Sequence, residues 1–364
     1  MKRQSNTLAI DRRHFVAWLL ACLTTGVSPG KGMAYSTTDE NNTIKVAALQ
    51  MTPRLGDFSA NMEQAEQLIR QAQRQGAQWI VLPEMFTSAV AFHPDMLGVI
   101  RPIEGAPAQM MLRLAQQSGS TIGGSFLASV DGEVRNSFLL VSPNGDIQRH
   151  DKDQPTYWEN CYYQGGADEG VLTNPLGQIG VALCWELIRS RTMRRLKDRV
   201  RLVLSGSCWW TLSDDVDIAN PLRLINLSML QDAPVHCARM LGVPVVHAAH
   251  AGSFKGFFSP DLPDIPYDSS YMGESMIVDA TGAVLARRSA EEGAGTLVAE
   301  ITLPLEPKPS LVIPQRFWMP DTMPVPWKTA WVRWLKSGSH YYKRVTRDYL
   351  ATGKTNDYTP EYME

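Results

Sequence analysis

The sequence predicts an α/β fold in which two sheets carry helices on their outer faces. Three observations predict it. Short apolar runs of the kind that become buried strands alternate with longer segments of helical periodicity. Asp131-Gly132 and Asn144-Gly145 stand between neighbouring strand-like runs and mark hairpins inside that alternation. The 364 residues are 44% hydrophobic, which is enough for a sizeable core. A chain of this length suits two domains by size, but α/β folds also run this long as one domain.

The elements follow in order. The apolar run 44–51 is the first strand, and the amphipathic segment 60–75 behind it is a helix. Trp79, Ile80, Val81, Leu82 and Pro83 form the strand 79–83, followed by a helix over 107–117. Strands 121–130, 133–142 and 147–151 are joined by the two hairpin turns. Behind Gly177 comes strand 178–183. The polar, basic stretch 188–200, with apolar punctuation, reads as a helix, and 202–206 as a strand. A helix over 222–241 precedes strand 244–251, and strands 274–279, 283–288 and 296–301 complete the core. There is no internal repeat and no low-complexity stretch.

Cys184 ends one apolar strand and is followed at once by Trp185 and Glu186. At a strand-to-helix junction backbone N–H groups point outward, which predicts a lowered thiol pKa and a nucleophile. Taken alone, a free cysteine is more often a buried structural thiol. Two residues shift that balance. Glu84 follows the strand 79–83, and Lys152 closes the strand 147–151. All three lie at strand ends, where the edge of an α/β sheet would bring them together. A carboxylate to take the thiol proton, a thiolate to attack and an ammonium to steady the oxyanion make a complete set for acyl transfer.

The strings Leu82-Pro83-Glu84-Met85-Phe86, His150-Asp151-Lys152 and Ala182-Leu183-Cys184-Trp185-Glu186 resemble the three signature blocks of the nitrilase (carbon–nitrogen hydrolase) superfamily, in that family's chain order. The first strand, and Asn61 with the amphipathic segment behind it, also resemble the family, so the likeness runs over 44–301. The resemblance implies a four-layer αββα sandwich. It implies Glu84 as general base, Lys152 as oxyanion stabiliser and Cys184 as nucleophile, with the Trp185 N–H sharing the oxyanion hole. Glu159 matches a second glutamate that orients the lysine. Its alternative is a surface carboxylate, but Tyr157, Trp158, Tyr162 and Tyr163 around it suit a pocket wall. Trp158, Trp209 and Trp210 are candidate substrate-lining residues, with core packing as the other reading. For Cys208 core packing is preferred.

The chemistry implied is attack on a carbonyl or nitrile carbon, loss of ammonia or an amine, and hydrolysis of the thioester. It needs no metal and no cofactor. His247 and His250, at i and i+3 on a strand, would face opposite sides and are given non-metal roles. The chain departs from the family at Val235, His236 and His250, which stand where an acid and two amides are usual. Leu187-Ile188-Arg189 also lacks a proline usual in nitrilases. The reading is therefore hydrolysis of an amide or N-carbamoyl bond of a small molecule. Nitrile hydrolysis, N-acyl transfer and a non-catalytic binder on the same fold are the alternatives.

Residues 1–34 resemble a twin-arginine export signal. Arg12 and Arg13 precede a short apolar run, and Gly32-Met33-Ala34 fits a cleavage site. Residues 35–43 are then a linker, 44–303 the hydrolase domain and 304–364 a C-terminal extension. The expected location is the periplasm, with the cytoplasm as alternative; lipidation at Cys22 is not favoured. Five scattered cysteines have no disulfide-framework look, and a net charge of −2 gives no hint of nucleic acid. Arg189, Arg191, Arg194, Arg195, Lys197, Arg199 and Arg201 crowd the helix after Cys184, as a dimer interface or a solvated basic face. Trp327, Trp331 and Trp334 share one helical face in the tail. Packing on a partner in a homodimer or larger homo-oligomer is preferred for that face over membrane contact or packing within the chain.

Overall fold

In chain order the elements are β1 (Thr43–Met51), α1 (Phe58–Arg74), β2 (Trp79–Val81), β3 (Arg101–Pro102), α2 (Ala106–Ser118), β4 (Thr121–Val130), β5 (Glu133–Val141), β6 (Ile147–Asp151), β7 (Val171–Asn174), β8 (Gly177–Val181), α3 (Ser190–Leu196), β9 (Leu202–Ser207), α4 (Ala219–Leu241), β10 (Val245–Ser259), β11 (Leu262–Val278), β12 (Val284–Ser289), β13 (Gly295–Thr302), α5 (Val325–Tyr341) and α6 (Arg347–Thr352). They come from a computed structural model that describes residues 42–213, 219–321 and 323–354. All of these belong to one compact unit. The export signal expected over 1–34, with Cys22 and most of the 35–43 linker, lies outside the described residues.

β1 is the pivot. Every residue from Val46 to Met51 is buried, so the strand is covered on both faces. Its alternating side chains define two cores. Ala47, Leu49 and Met51 pack with Ala65, Leu68 and Ile69 of α1 and Met111 and Leu114 of α2. Ile44, Val46 and Ala48 pack with Phe138 and Leu140 of β5 and with Ile179, Val181, Leu202 and Leu204 of β8 and β9. Beyond β8 and β9 a third core joins Val203 and Val245 to Met193 and Leu196 of α3 and Leu230 and Ala238 of α4. Helix, sheet, sheet, helix is the resulting order, the four-layer αββα sandwich.

The strands run β6-β5-β4-β2-β1-β10-β9-β8-β7, with β3 on β4, β11 on β10, β12 on β11 and β13 on β1. Val46–Ala48 lie parallel to Trp79–Val81, and Gln50 and Met51 parallel to Ala249 and His250. Because β1, β2, β8, β9 and β10 are parallel, their C-terminal ends share one edge of the molecule.

The structure corrects two elements. The helix expected over 188–200 is a 3₁₀ turn, Cys184–Ile188, followed by the seven-residue α3. Arg189 is extended between them (φ −108°, ψ 124°), because it bridges Trp318 and the Ser190 N–H donates to Phe317 O at 3.0 Å. α3 ends where Lys197 turns extended and Asp198 enters the left-handed region at φ 59°. The strands expected at 244–251 and 274–279 are the inner parts of a much longer hairpin, β10–β11, which pairs Lys255 with Asp268 and Phe257 with Pro266.

The basic stretch is divided: Arg191, Arg194, Lys197 and Arg199 are exposed, whereas Arg189 is buried and Arg195 half-buried, both on carboxylates. Arg189 lies 2.7 Å from Asp153, Arg199 lies 2.8 Å from Glu169, and Arg194 and Arg201 donate to the carbonyls of Pro314 and Pro304. The aromatic tail face is also revised. Trp327, Trp331 and Trp334 sit on α5, which folds back on its own chain, and Trp327 is buried. Its end is tied down by the Tyr342 hydroxyl, 3.0 Å from Val134 N, and by Thr346 Oγ1, which donates to Cys161 O at 2.6 Å. Among the described residues no helix is long and apolar enough to cross a membrane.

Candidate active site

The strand ends bring Glu84, Lys152 and Glu159 together. Glu84 stands three residues beyond β2, and Lys152 directly follows β6, its N–H donating to Asn136 O of β5 at 3.0 Å. Glu159 lies on the 3₁₀ turn Tyr157–Cys161. Lys152 Nζ donates to Glu84 Oε1 and to Glu159 Oε2, each at 2.7 Å, and all three side chains are fully buried. An ammonium has three protons, so one remains for a further acceptor.

Residues that sequence reasoning did not assign to the site complete the cage. Asn136 Nδ2 donates to Glu84 Oε1 at 2.9 Å, and the Cys208 N–H to Glu84 Oε2 at 3.0 Å. Glu159 Oε2 accepts from Thr156 N at 2.9 Å and from the Tyr163 hydroxyl. His250 Nε2 donates to Glu84 O at 2.8 Å, steadying the turn in which Met85 takes φ 49°. The sequence flagged His250 as a departure from the family but gave no partner for it. Asn136 carried no signal, since its place depends on strand register.

Cys184 opens its 3₁₀ turn at φ 50°, a left-handed conformation that an ordinary side chain adopts at some cost. Its residue is 1% exposed. The first N–H groups of such a turn, Trp185's among them, have no partner within it. The charges of Glu84, Lys152 and Glu159 all act on the thiol.

Here the structure overturns one expectation. Burial, with the Glu84 carboxylate beside it, pushes the Cys184 thiol well above its ordinary pKa, and Lys152 only partly opposes this. The short turn does not make a standing thiolate. Glu84 is itself pushed up to about 7 by burial, against the pull of Lys152. Burial works against the charge on Lys152, but Glu159 and Glu84 overcome it and hold the ammonium firmly protonated. The pair is therefore a thiol beside a carboxylate that changes charge near neutrality, a general-base arrangement.

Aromatic rings cover the site. Trp158 stacks on Trp210 (4.5 Å, 24°) and donates to Phe258 O at 2.8 Å. Trp209 tilts against Trp185 at 5.8 Å and donates to Asn226 Oδ1 at 2.7 Å. Trp331 of α5 stacks on Trp185 (5.6 Å, 1°), and Trp318 meets the same ring edge-on at 5.3 Å. Val235 and His236 are half-buried on α4. Cys208 is buried, and its backbone N–H reaches Glu84.

Buried polar atoms without a protein partner gather here: Glu159 Oε1, Asn136 Oδ1, Thr156 Oγ1 and Ser207 Oγ. Groups of this kind are normally satisfied, so they mark a place for water or a polar ligand. Among the described residues no cluster of three or more His, Cys, Asp or Glu side chains is arranged to hold a metal.

Residues 45–306 match the family model described as carbon-nitrogen hydrolase. A nitrilase of Pyrococcus abyssi is 30% identical over 267 residues, 71% of this chain and 90% of that protein. An N-carbamoylputrescine amidase of Solanum lycopersicum is 31% identical over 159 residues, 41% of this chain and 52% of its own length. Among solved structures, a carbon-nitrogen hydrolase from Helicobacter pylori superposes with a TM-score of 0.61 at 18% identity, over 71% of this chain and 89% of that one.

Proposed function

This chain belongs to the carbon–nitrogen hydrolase family and is an enzyme of that kind, and from this premise we propose that it hydrolyses an amide or N-carbamoyl C–N bond of a small molecule through a Cys184 thioester. The observation that carries the reading is Lys152 held between Glu84 and Glu159 at 2.7 Å each, with one proton left over beside the Cys184 turn.

Glu84 takes the Sγ proton as the sulfur attacks the carbonyl carbon, so no free thiolate need accumulate. The carbonyl oxygen becomes an oxyanion, met by Lys152 Nζ and the Trp185 N–H. The tetrahedral adduct collapses, the C–N bond breaks, and Glu84 returns its proton to the leaving nitrogen. A water then gives its proton to Glu84 and attacks the thioester carbon, releasing the acid and restoring the thiol. Glu159 fixes the lysine throughout. Trp158, Trp209 and Trp210 are assigned to the substrate side of the pocket. The likeness to an N-carbamoylputrescine amidase supports the carbamoyl form of this reading. The wider likeness to a nitrilase supports a nitrile substrate as the second reading.

The test is ammonia release from amides, N-carbamoyl compounds and nitriles, with intact-mass detection of an acyl adduct. Release and adduct are expected from the wild type and neither from Cys184→Ala. Undiminished release by the mutant would sink the mechanism. Export belongs to the same proposal, supported by Arg12 and Arg13 ahead of their apolar run. Replacing both with Lys is expected to leave the enzyme in the cytoplasmic fraction. Assembly into a homo-oligomer completes it, to be read from the mass of the purified enzyme in solution.

A further inference from the structure

Directly behind the cage lies a second buried charged group that the hydrolysis does not use. Its centre is Glu186, two residues after Cys184. Glu186 Oε2 accepts from Leu183 N, the residue before Cys184, at 2.8 Å. Glu186 Oε1 accepts from Asp153 N, the residue after Lys152, at 3.1 Å. One carboxylate thus grips the main chain beside both the nucleophile and the lysine. Peptide units are stiff planes, so fixing these two N–H groups fixes the two segments relative to each other.

The grip needs a counter-charge. His150 Nε2 lies 3.1 Å from Glu186 Oε2, and His150 Nδ1 lies 2.6 Å from Asp168 Oδ1. With a carboxylate on each nitrogen, the ring donates from both and is the cation. Asp168 is anchored in turn by Asp151 N at 2.9 Å and Gly170 N at 2.8 Å. Arg195 reaches Glu186 at 3.4 Å, and Asp153 pairs with Arg189 at 2.7 Å and Arg195 at 3.7 Å. These are the charged groups around His150. Burial alone would discharge it, but Glu186 and Asp168 overcome this and hold its pKa up to about 9.

We propose that Glu186 is a positioning residue that sets the spacing between Cys184 and Lys152, with protonated His150 as the counter-ion that holds its carboxylate in place. The proposal rests on Cys184 as nucleophile and Lys152 as oxyanion donor. A shift of about 1 Å between such groups costs roughly 10²-fold in rate.

Two measurements on the full-length enzyme test it. The first is kcat and KM on the best substrate across pH 6 to 11. The second needs no turnover: the rate of Cys184 alkylation by iodoacetamide, read by peptide mass. Glu186→Gln keeps the volume but turns one accepting oxygen into a donor against a backbone N–H. It is expected to lower kcat roughly 10²-fold, to leave KM within a few-fold, and to slow alkylation. The wild type is expected to lose kcat as pH rises through about 9, and His150→Gln to carry that lowered kcat already at pH 7 with no further fall. His150→Gln serves also as the second variant should Glu186→Gln not fold, since it keeps the Glu186 carboxylate and removes only its counter-ion. Wild-type kcat and alkylation in the folded variants would overturn the proposal. A wild type that turns over nothing, beside slowed alkylation in Glu186→Gln, would overturn the hydrolase reading and leave the positioning role standing.

Discussion

Glu84 is where burial and chemistry meet. Burial pushes its pKa up to about 7 while Lys152 holds it down. A general base works unprotonated, so kcat/KM is expected to climb about tenfold per pH unit below 7 and to level off between 7 and the fall expected near 9. Glu84→Gln should abolish that limb and cost roughly 10²- to 10⁴-fold; a profile that keeps the limb in the variant would assign it elsewhere. His150 makes a separate contribution to stability. Its folded pKa of about 9 exceeds the ordinary 6.5, so the stabilisation is complete below 6.5 and is lost as pH rises through 9. The size is about 3 kcal/mol. Thermal melts between pH 7 and 10 should show a falling Tm in the wild type and a flatter response in His150→Gln. Glu84 and Cys184 were legible in the sequence because each ends an apolar run, and Lys152 because it closes the strand after the Asn144-Gly145 turn. Asn136, the Cys208 amide and the Glu186 grip were not, because strand register and a chain reversal decide what they touch.

At the scale of elements, the edge shared by the parallel strands does the positioning, and the backbone passes close to Glu84 at Gly206 in β9. A Cβ there would stand 2.5 Å from Glu84 N and 2.9 Å from Pro83 C, both backbone atoms that cannot swing aside. Gly206→Ala is expected to cost about 1–3 kcal/mol by overpacking and to lower kcat further by displacing Glu84. A crystal structure of the variant with Glu84 unmoved would contradict this. Strand positions were readable from apolar runs and hairpin dipeptides. The helix after Cys184 was not readable as a 3₁₀ turn and a short α3. Its interruption at Arg189 comes from a pairing with Trp318, far along the chain. The outer half of the β10–β11 ribbon was missed because its pattern is broken by Pro263 and Pro266.

For the whole molecule, the tail is structural. Met319, Met323, Trp327, Tyr341, Tyr342 and Val345 are buried against the body of the protein. At roughly 1.5–3 kcal/mol each, their burial is worth on the order of 10 kcal/mol, as much as a domain's net stability. The family match ends at 306, yet a chain stopped there is expected to aggregate or to lose its cooperative melt. A soluble product with wild-type Tm would disprove this. The spacing of Trp327, Trp331 and Trp334 revealed an apolar face, but periodicity does not say what a face meets.

The ring of Trp331 lies flat on Trp185, and the thiol beside it is 1% exposed. A reagent therefore reaches sulfur only after the cover has moved. Labelling should follow gated kinetics: first order in reagent when dilute, then a plateau equal to the opening rate. α5 meets the Glu159 turn at Gly338, where a Cβ would stand 2.5 Å from Asn160 Cβ. Gly338→Val should wedge that contact and raise the plateau. The clock of this enzyme would then be set by a helix hinge, and its fastest substrates would share one turnover number whatever bond they carry.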